Sequence, residues 1–171
     1  MNPDSKTTPY WSIKHLKSPV DGIKIRYAIR IVDNPIQCIL LLNGRSEWIE
    51  KYEDLPDSTQ FSENALWITM DHRGQGGSEG PRAHVRSYDH FAVDVAAVVK
   101  ECFGDQPFLI ITHSMGGLIA VYGTVKHILH PKALILCSPL FGLLTPMPLV
   151  VAWLLAKVLA TTPLGNLATG S

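Results

Sequence analysis

Four short apolar runs, each about as long as a buried strand, alternate along this chain with segments of helical spacing. The runs are IQCILLL at 36–42, ALWITM at 65–70, PFLIIT at 107–112 and ALILC at 133–137. A continuous apolar run bounded by turn residues is typical of a strand that is buried on both faces. The clearest helical spacing lies between the second and third runs, over Tyr88–Phe103. This alternation predicts an α/β fold, with a mostly parallel sheet and helices on both faces.

The residues before the first run predict a hairpin. IKIRYAIRI at 23–31 alternates and is rich in β-branched residues, and YWSIKHLK at 10–17 can pair with it through a turn at Asp21-Gly22. A further helix is expected around Trp48–Phe61. We see no linker and no internal repeat.

Composition excludes several classes of protein. Fifteen basic residues balance fifteen acidic ones, which gives no field that would attract nucleic acid. Three cysteines, an odd number, argue against a disulfide framework and favour the cytoplasm. We expect Cys38 and Cys137 to be buried in strands. The first twenty residues contain no apolar stretch of signal-peptide length.

The motif that carries chemistry is Thr112-His113-Ser114-Met115-Gly116-Gly117, between a predicted strand and a predicted helix. A serine in such a sharp turn is presented above the carboxyl end of the sheet, as a nucleophile requires. The helix that begins near Met115 directs its free backbone N–H groups toward the site, with the Met115 amide as one oxyanion donor. We expect Gly116 and Gly117 to permit the tight turn and His113 to support the site.

The alternative is an ordinary serine that caps the helix. The usual nucleophile motif is G-x-S-x-G, and Thr112 stands at its first position here. The strand before the motif and the helix after it favour the nucleophile.

A second oxyanion donor is expected from the loop after an earlier strand. Asn43-Gly44-Arg45 fits, because Gly44 allows close approach of the backbone and Arg45 offers its amide. The alternative is a simple strand-to-helix turn. The glycine-rich segment 71–78, DHRGQGGS, lacks the Lys-Ser/Thr ending of a P-loop and does not have the glycine spacing of G-x-G-x-x-G. We therefore interpret it as a loop beside the substrate cleft, fixed by Asp71 and Arg73.

The segments NGRSEWIEKYEDL, DHRGQGGSEG and THSMGGLIAVY resemble, in order and spacing, the lysophospholipase and monoacylglycerol lipase-like branch of the α/β-hydrolases. The resemblance covers about residues 20–171. It implies an α/β-hydrolase fold and the hydrolysis of ester bonds in monoacyl lipids, by acyl transfer to serine and then to water. It also implies a helical cap inserted after the strand at 133–137.

The sequence after Ser114 contains no Asp or Glu, and its only histidines are His127 and His130. A serine nucleophile needs a base and a carboxylate, which in this fold follow it along the chain. We expect both histidines at the surface, so the triad Asp and His are absent from these residues. The expectation is a chain truncated within its cap and inactive by itself.

The other polar candidates are interpreted as structural. Asp94 is predicted to be solvated, and His72, His84 and His90 to be polar residues of loops or helix ends. The histidines and acids show no metal-binding spacing, and neither a metal nor a cofactor is expected.

We divide the chain into residues 1–140, the hydrolase core, and 141–171, the start of the cap. Five apolar cap residues could line an acyl pocket, touch a membrane surface peripherally, or pack on the parent domain: Leu143, Leu149, Val150, Trp153 and Leu154. The expected partner is a small lipid or ester substrate. A small-molecule esterase, a peptidase and a non-catalytic interaction protein remain alternatives.

Overall fold

The computed structural model describes residues 11–59, 64–82, 84–142, 148, 150–151, 153–154 and 157. Its strands are β1 (Trp11–Lys17), β2 (Lys24–Arg30), β3 (Gln37–Leu42), β4 (Ala65–Met70), β5 (Phe108–His113) and β6 (Ala133–Cys137). Its helices are α1 (Leu55–Ser58), α2 (Tyr88–Phe103) and α3 (Met115–Val125), and a 3-10 turn covers Ile49–Tyr52.

The six strands form one mixed sheet in the order β1-β2-β4-β3-β5-β6. β3 pairs in parallel with β4 and β5, and β5 pairs in parallel with β6. β1 and β2 are antiparallel and form the predicted hairpin, whose turn is closed by a hydrogen bond from the Ser18 amide to the Ile23 carbonyl. The predicted, mostly parallel sheet is confirmed.

Both faces of the sheet are covered. One core joins Leu40 of β3 and Ile110 of β5 to Val95 of α2 and Ile119 of α3. The smaller core on the other face includes Ile39, Leu41, Trp67 and Ile111, with Tyr52 and Leu55 packed against it. The helical layer on this second face is shorter than predicted. Where a helix is expected around Trp48–Phe61, the structure has a 3-10 turn followed by the single turn of α1.

β6 lies at the edge of the sheet, and the expectation of a buried Cys137 is wrong. Cys38, in the central strand β3, is buried as predicted, whereas Cys137 is exposed. The apolar residues Ile135 and Leu136 of β6 are also exposed, by 39% and 37%. The apolar run identified a strand correctly, but its burial depends on cover that the described residues do not supply.

The strand order places a topological switch point at the carboxyl ends of β3 and β5. These two strands are neighbours. The chain leaves β3 toward the face covered by α1, and it leaves β5 toward the face covered by α2 and α3. In open α/β sheets, ligands bind where neighbouring parallel strands have connections that depart to opposite faces.

Candidate active site

Ser114 occupies a strained turn between β5 and α3. Its backbone has φ 48° and ψ −113°, a positive φ that non-glycine residues seldom adopt. Two hydrogen bonds hold the turn: the Ser114 amide donates to the Cys137 carbonyl at 3.1 Å, and the Ser114 carbonyl accepts from the Gly117 amide at 3.0 Å. The predicted sharp bend is therefore present.

The alternative of a capping serine is wrong. Ser114 stands at the N-cap position of α3, but its side chain makes no capping hydrogen bond. Its side chain is only partly buried. The hydroxyl is therefore available for other chemistry.

The small residues around Ser114 are required by close backbone packing. A Cβ on Gly116 would lie 2.3 Å from the Leu42 carbonyl oxygen, and one on Gly117 would lie 2.8 Å from Pro139. Thr112 is buried, and its hydroxyl donates to the Ile135 carbonyl at 3.2 Å. The departure from glycine at position 112 is thus accommodated between β5 and β6.

The turn after β3, residues 43–47 and here called the β3 turn, packs directly against the Ser114 turn. A Cβ on Gly44 would meet His113 Nδ1 at 3.0 Å and a carboxylate oxygen of Glu47 at 2.7 Å. The Gly44 amide donates to that same oxygen, Glu47 Oε2, at 2.6 Å. A larger residue at position 44 would therefore displace the side chain of Glu47 or of His113.

Glu47 is the centre of a polar cluster that the sequence did not reveal. Its Oε2 accepts from the Tyr52 hydroxyl at 2.6 Å and lies 3.0 Å from His113 Nδ1, while Lys51 pairs with Oε1. Burial opposes the charge of Glu47, but hydrogen bonds from Lys51, Tyr52 and His113 prevail and lower its pKa to about 2. An ionised carboxylate thus fixes His113 beside Ser114.

The two predicted oxyanion donors are the backbone amides of Arg45 and Met115. Within the described part of the chain, the amides of Arg45 and Met115 donate no hydrogen bond. Met115 is the first residue of α3, where amides lack partners inside the helix. The β3 turn, which contains Arg45, packs against the Ser114 turn, which leads into Met115. The roles of Arg45 and Met115 as oxyanion donors remain predictions.

The loop after β4, residues 71–78 and here called the β4 loop, is fixed by Asp71 as expected. The carboxylate of Asp71 is fully buried and accepts from the amides of Ile49 at 2.9 Å and Gly77 at 2.7 Å. It also pairs with Arg26 at 2.8 Å. One side chain thereby joins β2, the β4 loop and the 3-10 turn.

Arg73 fixes the same loop through a buried ion pair, and the prediction that Asp94 is solvated is wrong. Asp94 on α2 is 1% exposed, and its carboxylate lies 2.7 Å from Arg73 Nε. Arg73 also contacts Ser18 and Asp21 of the β1–β2 turn. Asp94 is buried because Arg73 and Ser18 satisfy its carboxylate oxygens.

His72 is a polar loop residue, as predicted, but it does not lie at the surface. Its side chain is fully buried, with Nε2 3.2 Å from the Asn43 carbonyl and the ring edge-on to Phe91. Burial lowers its pKa to about 4, although the Asn43 carbonyl and Asp71 act in the other direction. It is therefore a neutral structural residue at neutral pH.

His127 and His130 are exposed, as predicted. Among the described residues, no group of three His, Cys, Asp or Glu side chains is placed to hold a metal ion.

Leu143 and Leu149 of the predicted cap lie outside the described residues, whereas Val150, Trp153 and Leu154 are exposed. No described helix is long and apolar enough to span a membrane. The division at residue 140 and the cap's membrane contact stay predictions.

The fold and the turn that carries Ser114 are those of an α/β-hydrolase. A solved structure of that fold, the thermostable carboxyl esterase from Bacillus coagulans, superposes with a TM-score of 0.68 at 22% identity, over 90% of this chain and 51% of the esterase. Residues 33–170 match the model of the serine aminopeptidase S33 family, and the chain belongs to that family.

Curated relatives carry lipase and lysophospholipase names. The monoacylglycerol lipase of Mycolicibacterium smegmatis is 29% identical over 90% of this chain and 57% of its own length. Lysophospholipase L2 of Escherichia coli is 30% identical over 78% of this chain and 41% of its own length. The chain thus spans about half the length of these relatives.

Proposed function

We propose that this chain belongs to a serine hydrolase that cleaves the carboxylic ester bonds of monoacyl lipids, with Ser114 as its nucleophile. The observation that carries the proposal is the strained Ser114 turn, which packs against the β3 turn, together with the amides of Arg45 and Met115, which donate no hydrogen bond within the described part of the chain. Attack of the Ser114 oxygen on an ester carbonyl would form a tetrahedral oxyanion, which two such amides can stabilise. Loss of the alcohol leaves an acyl-serine, and water then releases the fatty acid.

The monoacyl lipid substrate is supported by the names of the relatives, a monoacylglycerol lipase and a lysophospholipase. A serine nucleophile also needs a base and an orienting carboxylate. The sequence after Ser114 has no Asp or Glu, and its two histidines are exposed. The proposal therefore concerns the product of the complete reading frame, and we expect these 171 residues alone to be inactive.

The test compares the wild type with Ser114→Ala, both expressed from the complete reading frame. The wild type should react with a fluorophosphonate probe and hydrolyse lysophosphatidylcholine or a monoacylglycerol. Ser114→Ala should lose at least about a thousandfold in kcat. Ser12→Ala, an exposed serine of β1, is the matched control and should retain full activity. Hydrolysis that survives Ser114→Ala, or a wild type that does not label, would overturn the proposal.

A peptidase is the second candidate, because the matching family is described as a serine aminopeptidase. It would use the same nucleophile and donors on an amide bond. An aminoacyl p-nitroanilide in the same assay separates the two, since a higher kcat/KM for that substrate than for the monoacyl lipids would favour the peptidase.

A further inference from the structure

The amides of the β3 turn have different partners on either side of Arg45. The Gly44 amide donates to Glu47 Oε2 at 2.6 Å, and the Ser46 amide donates to Gln75 Oε1 at 2.8 Å. Between them, the Arg45 amide has no partner within the described part of the chain. The two peptide groups next to the proposed oxyanion donor are therefore both fixed by side chains.

Gln75 is well placed to fix one of them, because its own backbone is held inside the β4 loop. Its amide donates to the His72 carbonyl at 2.9 Å, and its carbonyl accepts from the Ser78 amide at 3.0 Å. Gly76, the next residue, is packed so closely that a Cβ would lie 2.3 Å from the Asp71 carboxyl carbon. The side chain of Gln75 therefore extends from a rigid base.

The same side chain reaches both segments that carry the proposed donors. While Oε1 accepts from the Ser46 amide, Nε2 lies 3.8 Å from Met115 Sδ. Ser46 has a φ of 59°, in the left-handed region that non-glycine residues seldom adopt. A conformation of that kind persists only where neighbouring groups hold it, and Gln75 is one such group.

We propose that Gln75 is a positioning residue of the oxyanion hole, which holds the Ser46 peptide so that the Arg45 amide faces the Ser114 turn. This inference rests on the proposed function, since an oxyanion hole has meaning only for an acyl-transfer enzyme. Gln75 itself touches neither substrate nor nucleophile in this role. Removal of the Gln75 side chain should therefore weaken stabilisation of the transition state more than it weakens the binding of substrate.

The test is Gln75→Met in the complete protein, because methionine keeps the length of the side chain and removes the carbonyl. Loss of a whole oxyanion donor costs about a hundredfold to a thousandfold in kcat, so a loosened donor should cost about tenfold, with KM changed less than about twofold. Gln75→Asn, one methylene shorter, should show a smaller loss of the same kind. Gln106→Met is the matched control, since Gln106 precedes β5 at the opposite end of the sheet.

A second measurement does not depend on activity. In Gln75→Met the Ser46 amide should exchange its hydrogen at least about tenfold faster, while the Gly44 amide, bonded to Glu47, keeps its protection. If the wild type is active, the positioning role is overturned when Gln75→Met leaves kcat unchanged, or when it raises KM by the same factor by which it lowers kcat. A wild type that neither labels nor hydrolyses would instead overturn the proposed function and this inference with it. Amide exchange would then still show whether the contact itself exists.

Discussion

The β3 turn and the β4 loop lie side by side at the carboxyl end of the sheet, but they are held in different ways. The β4 loop is fixed by buried charges, with Asp71 fully buried, Arg73 7% exposed and its partner Asp94 1% exposed. In the β3 turn, Arg45 and Ser46 are exposed, and the backbone is held by the side chains of Glu47 and Gln75.

The two regions should therefore contribute differently, the β4 loop mainly to the stability of the fold and the β3 turn mainly to catalysis. A buried charge that loses its partner destabilises the whole fold, so the β4 loop should behave as part of the core. The β3 turn is held by two hydrogen bonds to side chains, those of Glu47 and Gln75, which leave the Arg45 amide between them without a partner among the described residues. We therefore expect loss of the buried charges of the β4 loop to lower the free energy of unfolding, and loss of the side chains that hold the β3 turn to lower kcat.

The largest effect is expected from Arg73→Met. This change leaves the Asp94 carboxylate buried without its cation and should lower the free energy of unfolding by about 3–5 kcal/mol, measured by urea denaturation at pH 7. Adding Asp94→Leu should recover most of the loss, because both charges are then gone. Lys100→Met, which breaks the exposed pair with Asp105, is the control and should leave the free energy of unfolding nearly unchanged, because water screens that pair. If Arg73→Met left the free energy of unfolding unchanged, the proposed difference between the β4 loop and the β3 turn would be wrong.

A second prediction uses pH to test the β4 loop. His72 has a pKa of about 4 in the fold against 6.5 when unfolded, so below pH 6.5 the unfolded chain binds a proton that the native state does not. Its stabilising contribution is complete above pH 6.5 and is lost as the pH falls toward 4, about 3 kcal/mol in all.

The measurement is the free energy of unfolding across that range, in the wild type and in His72→Gln. The variant should be less stable at pH 7, and its slope between pH 6.5 and 4 should be smaller by about 1.4 kcal/mol per pH unit. Ser12→Ala, at an exposed position with no titrating side chain, should keep the wild-type slope. Parallel slopes for His72→Gln and the wild type would show that His72 is protonated in the native state.

The sequence predicted the parts of this molecule that depend on local pattern. The apolar runs identified β3 to β6, and the spacing around Ser114 identified a turn that close packing at Gly116 explains. Asp94 was misjudged although the signal was present. It lies three residues after Phe91 and four before Val98, which is the buried face of α2.

The remaining parts depend on contacts between distant residues. Glu47 is 66 residues from His113, and Gln75 is 29 residues from Ser46, so no local spacing predicts either contact. The prediction that Cys137 is buried was wrong for a related reason, since an apolar run does not specify what covers it. Sequence pattern therefore located the nucleophile and the glycines but missed the side chains that hold the β3 turn.

The smallest effect is expected from Glu50→Gln, at the bridge between the two regions. Arg26 pairs with Glu50, next to the β3 turn, and with Asp71 in the β4 loop. The Glu50 side chain is 48% exposed, so its pair is screened by water, and Arg26 keeps its buried partner when Glu50 is neutral. The free energy of unfolding should fall by less than about 1 kcal/mol, with kcat unchanged. A loss of about 3 kcal/mol or more would mean that this exposed pair supports the fold as strongly as the buried one, and that burial does not decide which charges hold the β4 loop.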